Sequence, residues 1–252
     1  MTITEKTSDD WIRRYHPRPE AAIRLVCFPH AGGSAPFYFP VSAGTGPDVD
    51  VLAVQYPGRQ DRRTEPLIDT VDTLADRLAD LLPDWLDRPY AFFGHSMGAT
   101  VAYEVARRLA ARGSEPLHLF VSGRRAPSRA RDERVHERDD AGLIADLREL
   151  SGTDTRIFGE PELMSLVLPV IRSDYKAAET YTYRAGEPLH CPITVLIGDA
   201  DSKSTVDEAE SWREHTTGPT AVQVYSGGHF YLVEHKDAVM DVIGKALTVP
   251  VR

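Results

Sequence analysis

The sequence predicts an α/β protein built on a mostly parallel central sheet with helices on both faces, and three observations carry that reading. Short apolar runs rich in β-branched and aromatic residues alternate with longer segments of helical period, as repeated strand-helix-strand units require. Most of these runs are continuously apolar, which is the pattern of strands covered on both faces. The rhythm breaks once, between about residues 126 and 187, where no convincing strand pattern occurs.

Strands are predicted at Ile23–Phe28, Val49–Tyr56, Tyr90–Phe93, Leu117–Ser122, Ile193–Ile197 and Ala221–Tyr225. Val71, Leu74, Leu78, Leu81, Leu82 and Trp85 recur at steps of three and four and draw one apolar stripe along a helix. Met97, Val101, Val105 and Leu109 draw a second, which stops at Arg112-Gly113, a basic last turn and a glycine suited to a left-handed cap. The break begins with the Arg-rich segment SGRRAPSRARDERVHERDD and continues into helical patterns at Ala141–Leu150 and Pro161–Tyr183. Residues 1–252 are therefore expected to form a single domain, with 126–187 inserted as a helical lid. Leu163, Met164, Leu166, Val167, Leu168, Val170 and Ile171 wrap more than one helix face, so apolar material is expected on both sides of the second lid helix. A helical decoration with no role in access fits the same pattern.

Composition narrows the function. Hydrophobic residues make up 42% and charged residues 27%, which is ordinary globular usage and excludes collagen-like, coiled-coil and largely disordered chains. With 29 basic against 38 acidic residues the net charge is −9, so nothing global attracts nucleic acid or an anionic membrane. Two cysteines, Cys27 and Cys191, are too few for a disulfide framework or a cysteine-based zinc site, which fits a reducing cytoplasm. The polar N-terminus and the absence of a long apolar run suggest neither export nor a membrane span.

Chemistry concentrates at the ends of the predicted strands. Gly94-His95-Ser96-Met97-Gly98 is a G-x-S-x-G placed after an apolar run and before a helix, the context of a nucleophile elbow. In such an elbow the serine occupies a sharp strand-to-helix turn, and side chains two residues to either side would collide with backbone. A serine hydroxyl needs a base within reach, itself oriented by a carboxylate, and in this arrangement they follow in the order Ser, Asp or Glu, His. His229 fits the base, since it lies between the last strand and the final helical pattern. The carboxylate is Asp201 or Asp199, both in Gly198-Asp199-Ala200-Asp201-Ser202. Asp201 is preferred because it stands beyond the strand end, whereas Asp199 is placed to hold the turn. For the oxyanion, the amide of Met97 follows the nucleophile, and the glycine-rich loop Pro29-His30-Ala31-Gly32-Gly33-Ser34 supplies a second donor, Ala31 or else Gly32. Phosphate-binding glycine motifs are absent, and no pair of histidines on one predicted helix face suggests metal.

Together these motifs resemble a family: the type II thioesterases that serve modular polyketide and nonribosomal peptide synthases, within the α/β-hydrolase superfamily. The resemblance runs through Phe28-Pro29-His30-Ala31-Gly32-Gly33, Gln55-Tyr56-Pro57-Gly58-Arg59, the serine elbow, Asp174-Tyr175 with Glu179 and Tyr181, and Gly227-Gly228-His229-Phe230. It implies hydrolysis of acyl thioesters from the phosphopantetheine arm of acyl or peptidyl carrier proteins, clearing stalled or misprimed units with a triad of Ser96, Asp201 and His229 and without a cofactor. It also suggests a cytoplasmic monomer. One departure is Asp201-Ser202-Lys203, where such enzymes often show Asp-Pro. The expected partner is acidic, as is this chain, so the run Arg124, Arg125, Arg129, Arg131 and Arg134, against Asp132 and Glu133, is a candidate to meet the arm's phosphate or the carrier, with Arg124 and Arg125 nearest the strand end. A carboxylesterase or lipase acting on oxygen esters, and a non-catalytic binding module that keeps the fold, are the other readings of the same residues.

Overall fold

The computed structural model describes residues 8–150 and 161–248. Its sheet has seven strands, β1 (Ile12–Arg13), β2 (Ile23–Phe28), β3 (Val49–Val54), β4 (Tyr90–His95), β5 (His118–Ser122), β6 (Ile193–Gly198) and β7 (Thr220–Tyr225). They lie in the order β1-β3-β2-β4-β5-β6-β7, parallel throughout except for β1, which pairs antiparallel with β3. All six predicted strands are present. Strand β4 runs past its apolar residues because the ladder to β5 continues, with Gly94 opposite Val121 and His95 opposite Ser122. Strand β1 escapes the sequence reading, since two residues carry no period.

Continuous apolar runs make sense once their two faces are separated. Along β2, Ile23, Leu25 and Cys27 enter one core while Val26 and Phe28 enter the other, and β3 and β4 divide in the same way. Helices α2 (Val71–Leu81) and α3 (Met97–Ala110) close the first core. The second is closed by α8 (Lys236–Ala246) and by Ala35 and Tyr38, which precede the short α1 (Phe39–Gly44). A polar residue on either face would forgo burial worth about 1.5–3 kcal/mol for a large apolar side chain, which is why the central strands do not alternate. Edge strand β7 does alternate between partly buried and exposed positions over most of its length. Helix α2 starts at Thr70, whose side chain accepts from the Thr73 amide, and α3 is followed by Gly113 at φ +81°, the left-handed cap its sequence predicts. Both cysteines are free and buried, and among the described residues no helix is long and apolar enough to cross a membrane.

Between β5 and β6 the chain forms α4 (Asp140–Glu149) and α5 (Pro161–Glu179); residues 151–160 of the predicted 126–187 insertion lie outside the described residues. The insertion has its own small core, built from Val135, Leu143, Leu147, Leu150, Met164, Leu168, Ile171 and Tyr175. Two expectations need correction. Helix α5 ends at Glu179 rather than Tyr183, because Tyr181 and Tyr183 leave the helix and pack on the first core, with Tyr181 donating to Glu104 at 2.7 Å. Nor is α5 covered all round: Leu166 is 71% exposed and Leu163 38%, while Met164, Leu168 and Ile171 are buried. Short α6 (Val206–Glu210) follows β6, and α7 (Tyr231–Glu234) joins β7 to α8.

Candidate active site

Strands β4 to β7 are parallel, so their carboxyl ends share one edge, and the loops leaving that edge carry Ser96, Arg124, Asp201 and His229. Ser96 sits between β4 and α3 at φ 55°, ψ −121°, a conformation that costs an ordinary residue on the order of 1–3 kcal/mol and needs support from its surroundings. The support is steric fit. A Cβ on Gly98 would lie 2.0 Å from the Phe28 carbonyl oxygen, and one on Gly94 would lie 2.3 Å from that of Gly98. Only glycine at both positions lets strand, turn and helix approach this closely.

Behind the elbow, His229 Nδ1 lies 3.0 and 2.9 Å from the two carboxylate oxygens of Asp201, whose side chain is fully buried. Asp201 Oδ1 also accepts from the Lys203 amide at 2.8 Å. Asp199 instead accepts from the Gly227 amide at 2.9 Å and so ties the β6 loop to the histidine loop. Ser96 and His229 line the same cavity but share no hydrogen bond in this resting geometry. At the helix end the Met97 amide, first in α3, has no intrahelical acceptor. In the loop after β2, the Gly32 amide donates to Asp174 Oδ2 at 2.7 Å and the Gly33 amide to the His30 carbonyl, so both are engaged, whereas the Ala31 amide, like those of His30 and Ser34, has no acceptor among the described residues.

The loop is held by residues to which the sequence reading gives no role. Arg59 grips Asp174 of α5 with two nearly parallel bonds, 2.6 and 2.9 Å, and donates to the Gly33 carbonyl at 3.1 Å. Gln55 accepts from the Ala35 amide at 3.0 Å, so the Gln-Tyr-Pro-Gly-Arg turn braces the second half of the glycine loop and the residue that follows it. The i-to-i+4 spacing of Gln55 and Arg59 was the available signal; nothing local links either to Asp174, more than a hundred residues away.

Two further imidazoles surround the site. His30 and His95 pack against Phe230 at ring distances of 5.0 and 5.2 Å, and His95 lies 5.0 Å from His229. His95 shares a hydrogen bond with Ser122 Oγ at 2.9 Å, which in turn meets the Tyr231 hydroxyl at 2.6 Å. Burial, helped by the nearby His229, pushes His30 down to about 3 and His95 well below the usual histidine range. Both are neutral at physiological pH. Under Trp212, burial likewise lowers His215 to about 4. A histidine held neutral when folded stabilises the protein fully above its unfolded pKa of about 6.5; as pH falls below that value the unfolded chain binds protons that the folded chain does not. His30 and His215 should each withdraw about 2 kcal/mol from the fold by pH 5. Calorimetric Tm should fall steadily from pH 6.5 to 5 and be level from 8 to 7; a Tm constant down to pH 5 would contradict this account.

The Arg-rich run divides in the structure. Arg125, expected with Arg124 to face a carrier, is buried: it pairs with Glu133 at 2.5 Å and donates to the Lys203 and Arg129 carbonyls. It is an internal clamp, with no donor face left for a partner. Arg129 pairs with Glu214, Arg131 with Glu208 and Arg134 with Asp132, so the local positive excess is largely neutralised. Arg124 has no carboxylate partner among the described residues and lines the cavity of Ser96 and His229. That cavity, of about 270 Å³, has one wall from Leu147, Leu150, Met164, Val167 and Ile171 of the insertion. Among the described residues no group of three or more His, Cys, Asp or Glu side chains converges as a metal site would require.

A family model for the thioesterase domain matches residues 23–247. The chain belongs to the thioesterase family. This thioesterase is 52% identical over 241 residues to thioesterase PikA5 of Streptomyces venezuelae, a match covering 95% of this chain and 86% of the relative. It is 51% identical over 247 residues to a probable cadicidin biosynthesis thioesterase of Streptomyces griseus, covering 98% and 68%. Among solved structures, the type II thioesterase BorB from the borrelidin biosynthetic cluster superposes with a TM-score of 0.90 at 51% identity, covering 97% of this chain and all of that one. The resemblance to type II thioesterases drawn from the motifs is borne out, and with it the α/β-hydrolase fold.

Proposed function

We propose that this thioesterase hydrolyses acyl groups from the phosphopantetheine arm of acyl or peptidyl carrier proteins, clearing stalled or misprimed units from a polyketide or nonribosomal peptide synthase. Similarity to PikA5 and BorB supports the setting, and one observation carries the chemistry: His229, fixed through Nδ1 by Asp201, turns its other nitrogen to the side of the ring away from that carboxylate, and its ring shares a cavity with Ser96 on a strained elbow. The carboxylate holds the proton on Nδ1, which leaves Nε2 a lone pair with which to take the Ser96 proton. Hydrogen bonds of this kind often tighten only when substrate arrives. Attack of Ser96 Oγ on the thioester carbon places negative charge on the carbonyl oxygen, which the Met97 and Ala31 amides receive together with the positive end of α3. The C–S bond breaks, the leaving sulfur takes the proton from His229, and water deprotonated by His229 releases the acid from the acyl-serine by the same route. Helices α4 and α5 act as the lid whose inner face receives the acyl chain. Every group named comes from one chain, so a monomer suffices, and the two free, buried cysteines suit the cytoplasm.

A fluorophosphonate should label the wild-type protein and not Ser96→Ala, and wild type should turn over butyryl-carrier protein far faster than a nitrophenyl ester. Preference for the oxygen ester would favour the carboxylesterase reading. No label on folded wild type would leave only a binding role.

A further inference from the structure

We propose that Arg124 is a specificity subsite that recognises a neutral oxygen on the acyl chain, a β-keto or β-hydroxyl group, and so favours partly processed acyl units over saturated ones of equal length. The proposal rests on the thioesterase reading above and adds to it which acyl groups the cavity prefers.

The position is set by the sheet. Gly123, at φ +57°, ends β5 so tightly that a Cβ there would lie 2.7 Å from the His95 ring and 3.4 Å from His229 Cε1. The residue that follows it therefore starts beside the proposed base. Trp212 Nε1 donates to the Arg124 carbonyl at 2.8 Å and fixes the backbone at that point. The side chain reaches to α5, where Nη2 donates to the Ala178 carbonyl at 3.1 Å. A guanidinium has five N–H donors, and the others of Arg124 have no partner among the described residues. Burial and the neighbouring Arg125 lower its pKa to about 10, so it remains charged at neutral pH.

The carboxylates of that wall are engaged elsewhere rather than with those donors. Glu133 is held by Arg125 and faces Lys203 at 4.0 Å. Glu179 accepts from the Val135 and His136 amides at 3.0 Å each and from the His136 ring at 2.5 Å. Lys203 is itself paired with Asp146 at 3.0 Å. None of these carboxylates bonds Arg124, so its remaining donors stay unpaired among the described residues at the cavity it lines. Net charge is another matter, because Glu133 and, to a lesser degree, Glu179 lie near enough to favour the Arg124 cation. A neutral acceptor oxygen completes this arrangement, whereas a second carboxylate would meet Glu179 as a like charge. The arm's phosphate is separated from the thiol by two amide-linked segments, too far to enter a cavity of about 270 Å³ that also holds the reacting carbonyl.

The test is a ratio of kcat/KM values measured on one carrier protein loaded with 3-hydroxybutyryl, butyryl or malonyl groups. In wild type, 3-hydroxybutyryl should exceed butyryl, and malonyl should not. Arg124→Met should lower the 3-hydroxybutyryl to butyryl ratio by roughly 10-fold or more, the worth of a hydrogen bond to a charged group, and Arg124→Lys should recover part of it. A general loss of rate or stability cancels in the ratio. A ratio within about twofold of wild type in Arg124→Met overturns the proposal, as does an equal fall on both substrates, which would assign Arg124 to the arm. Absence of butyryl-carrier hydrolysis by wild type would instead defeat the thioesterase reading itself.

Discussion

Asp201→Asn should reduce kcat by about three to four orders of magnitude while the protein stays folded, and Asp199→Asn should leave kcat within a few fold of wild type. The two aspartates stand two residues apart after β6 but face different groups. Asp201 presents both oxygens to His229 Nδ1, and its Oδ1 also receives the Lys203 amide. An asparagine keeps the shape and can still accept from Lys203, but its NH₂ then meets Nδ1 and drives the imidazole proton to Nε2. The base is lost because the wrong nitrogen carries the proton. Asp199 accepts from the Gly227 amide, a bond that an asparagine oxygen can replace. Asp199→Ala, which removes that acceptor at an exposed turn, should cost about 1 kcal/mol of stability and little rate. Single-turnover hydrolysis and thermal melts on the three variants check both halves. Comparable rate losses in Asp199→Asn and Asp201→Asn would mean that the carboxylates share the histidine.

The physical reasons that made the elbow and the histidine loop legible also explain what was not. Gly94, Ser96 and Gly98 lie within five consecutive residues because one backbone turn imposes the need for all three, so the requirement is local. The apolar strands are legible because both faces of β2, β3 and β4 are buried. Helix α5 is harder to read, since its apolar count does not reveal that Leu163 and Leu166 face away from Met164 and Ile171. Its end is also misplaced: the apolar residues Tyr181 and Tyr183 follow the helical run without a local stop signal, while in the fold they have left the helix to pack on another layer. Arg125 is the clearest case of a charge whose meaning is non-local. In sequence it is one of five arginines in a polar run; in the fold Glu133 and two carbonyls enclose it, and Arg124 next to it is left without a carboxylate.

The Arg59–Asp174 pair offers the other large effect, because it joins stability to the geometry of the loop proposed to receive the oxyanion. Both side chains are nearly or wholly buried, and Asp174 Oδ2 serves the Arg59 guanidinium and the Gly32 amide together. Asp174→Ala leaves a buried guanidinium without its partner and should destabilise the protein by about 3–5 kcal/mol. Loss of activity in that variant alone would prove little, since it could follow from unfolding. The informative variant replaces both members, Arg59→Met with Asp174→Leu. Exchanging a buried ion pair for apolar residues of similar size is often neutral in stability, so the melting temperature should return toward wild type. The Gly32 amide still lacks its acceptor and the Gly33 carbonyl its donor in the double variant, so the loop that carries the Ala31 amide loses its anchors. If that amide is an oxyanion donor, kcat in the refolded double variant should remain lower by about 100-fold, the effect of misplacing one donor, with KM little changed. Recovery of both stability and kcat would show that the pair only holds α5 against the sheet. Recovery of stability alone would place the insertion in the catalytic geometry itself, since Asp174 reaches the glycine loop from α5.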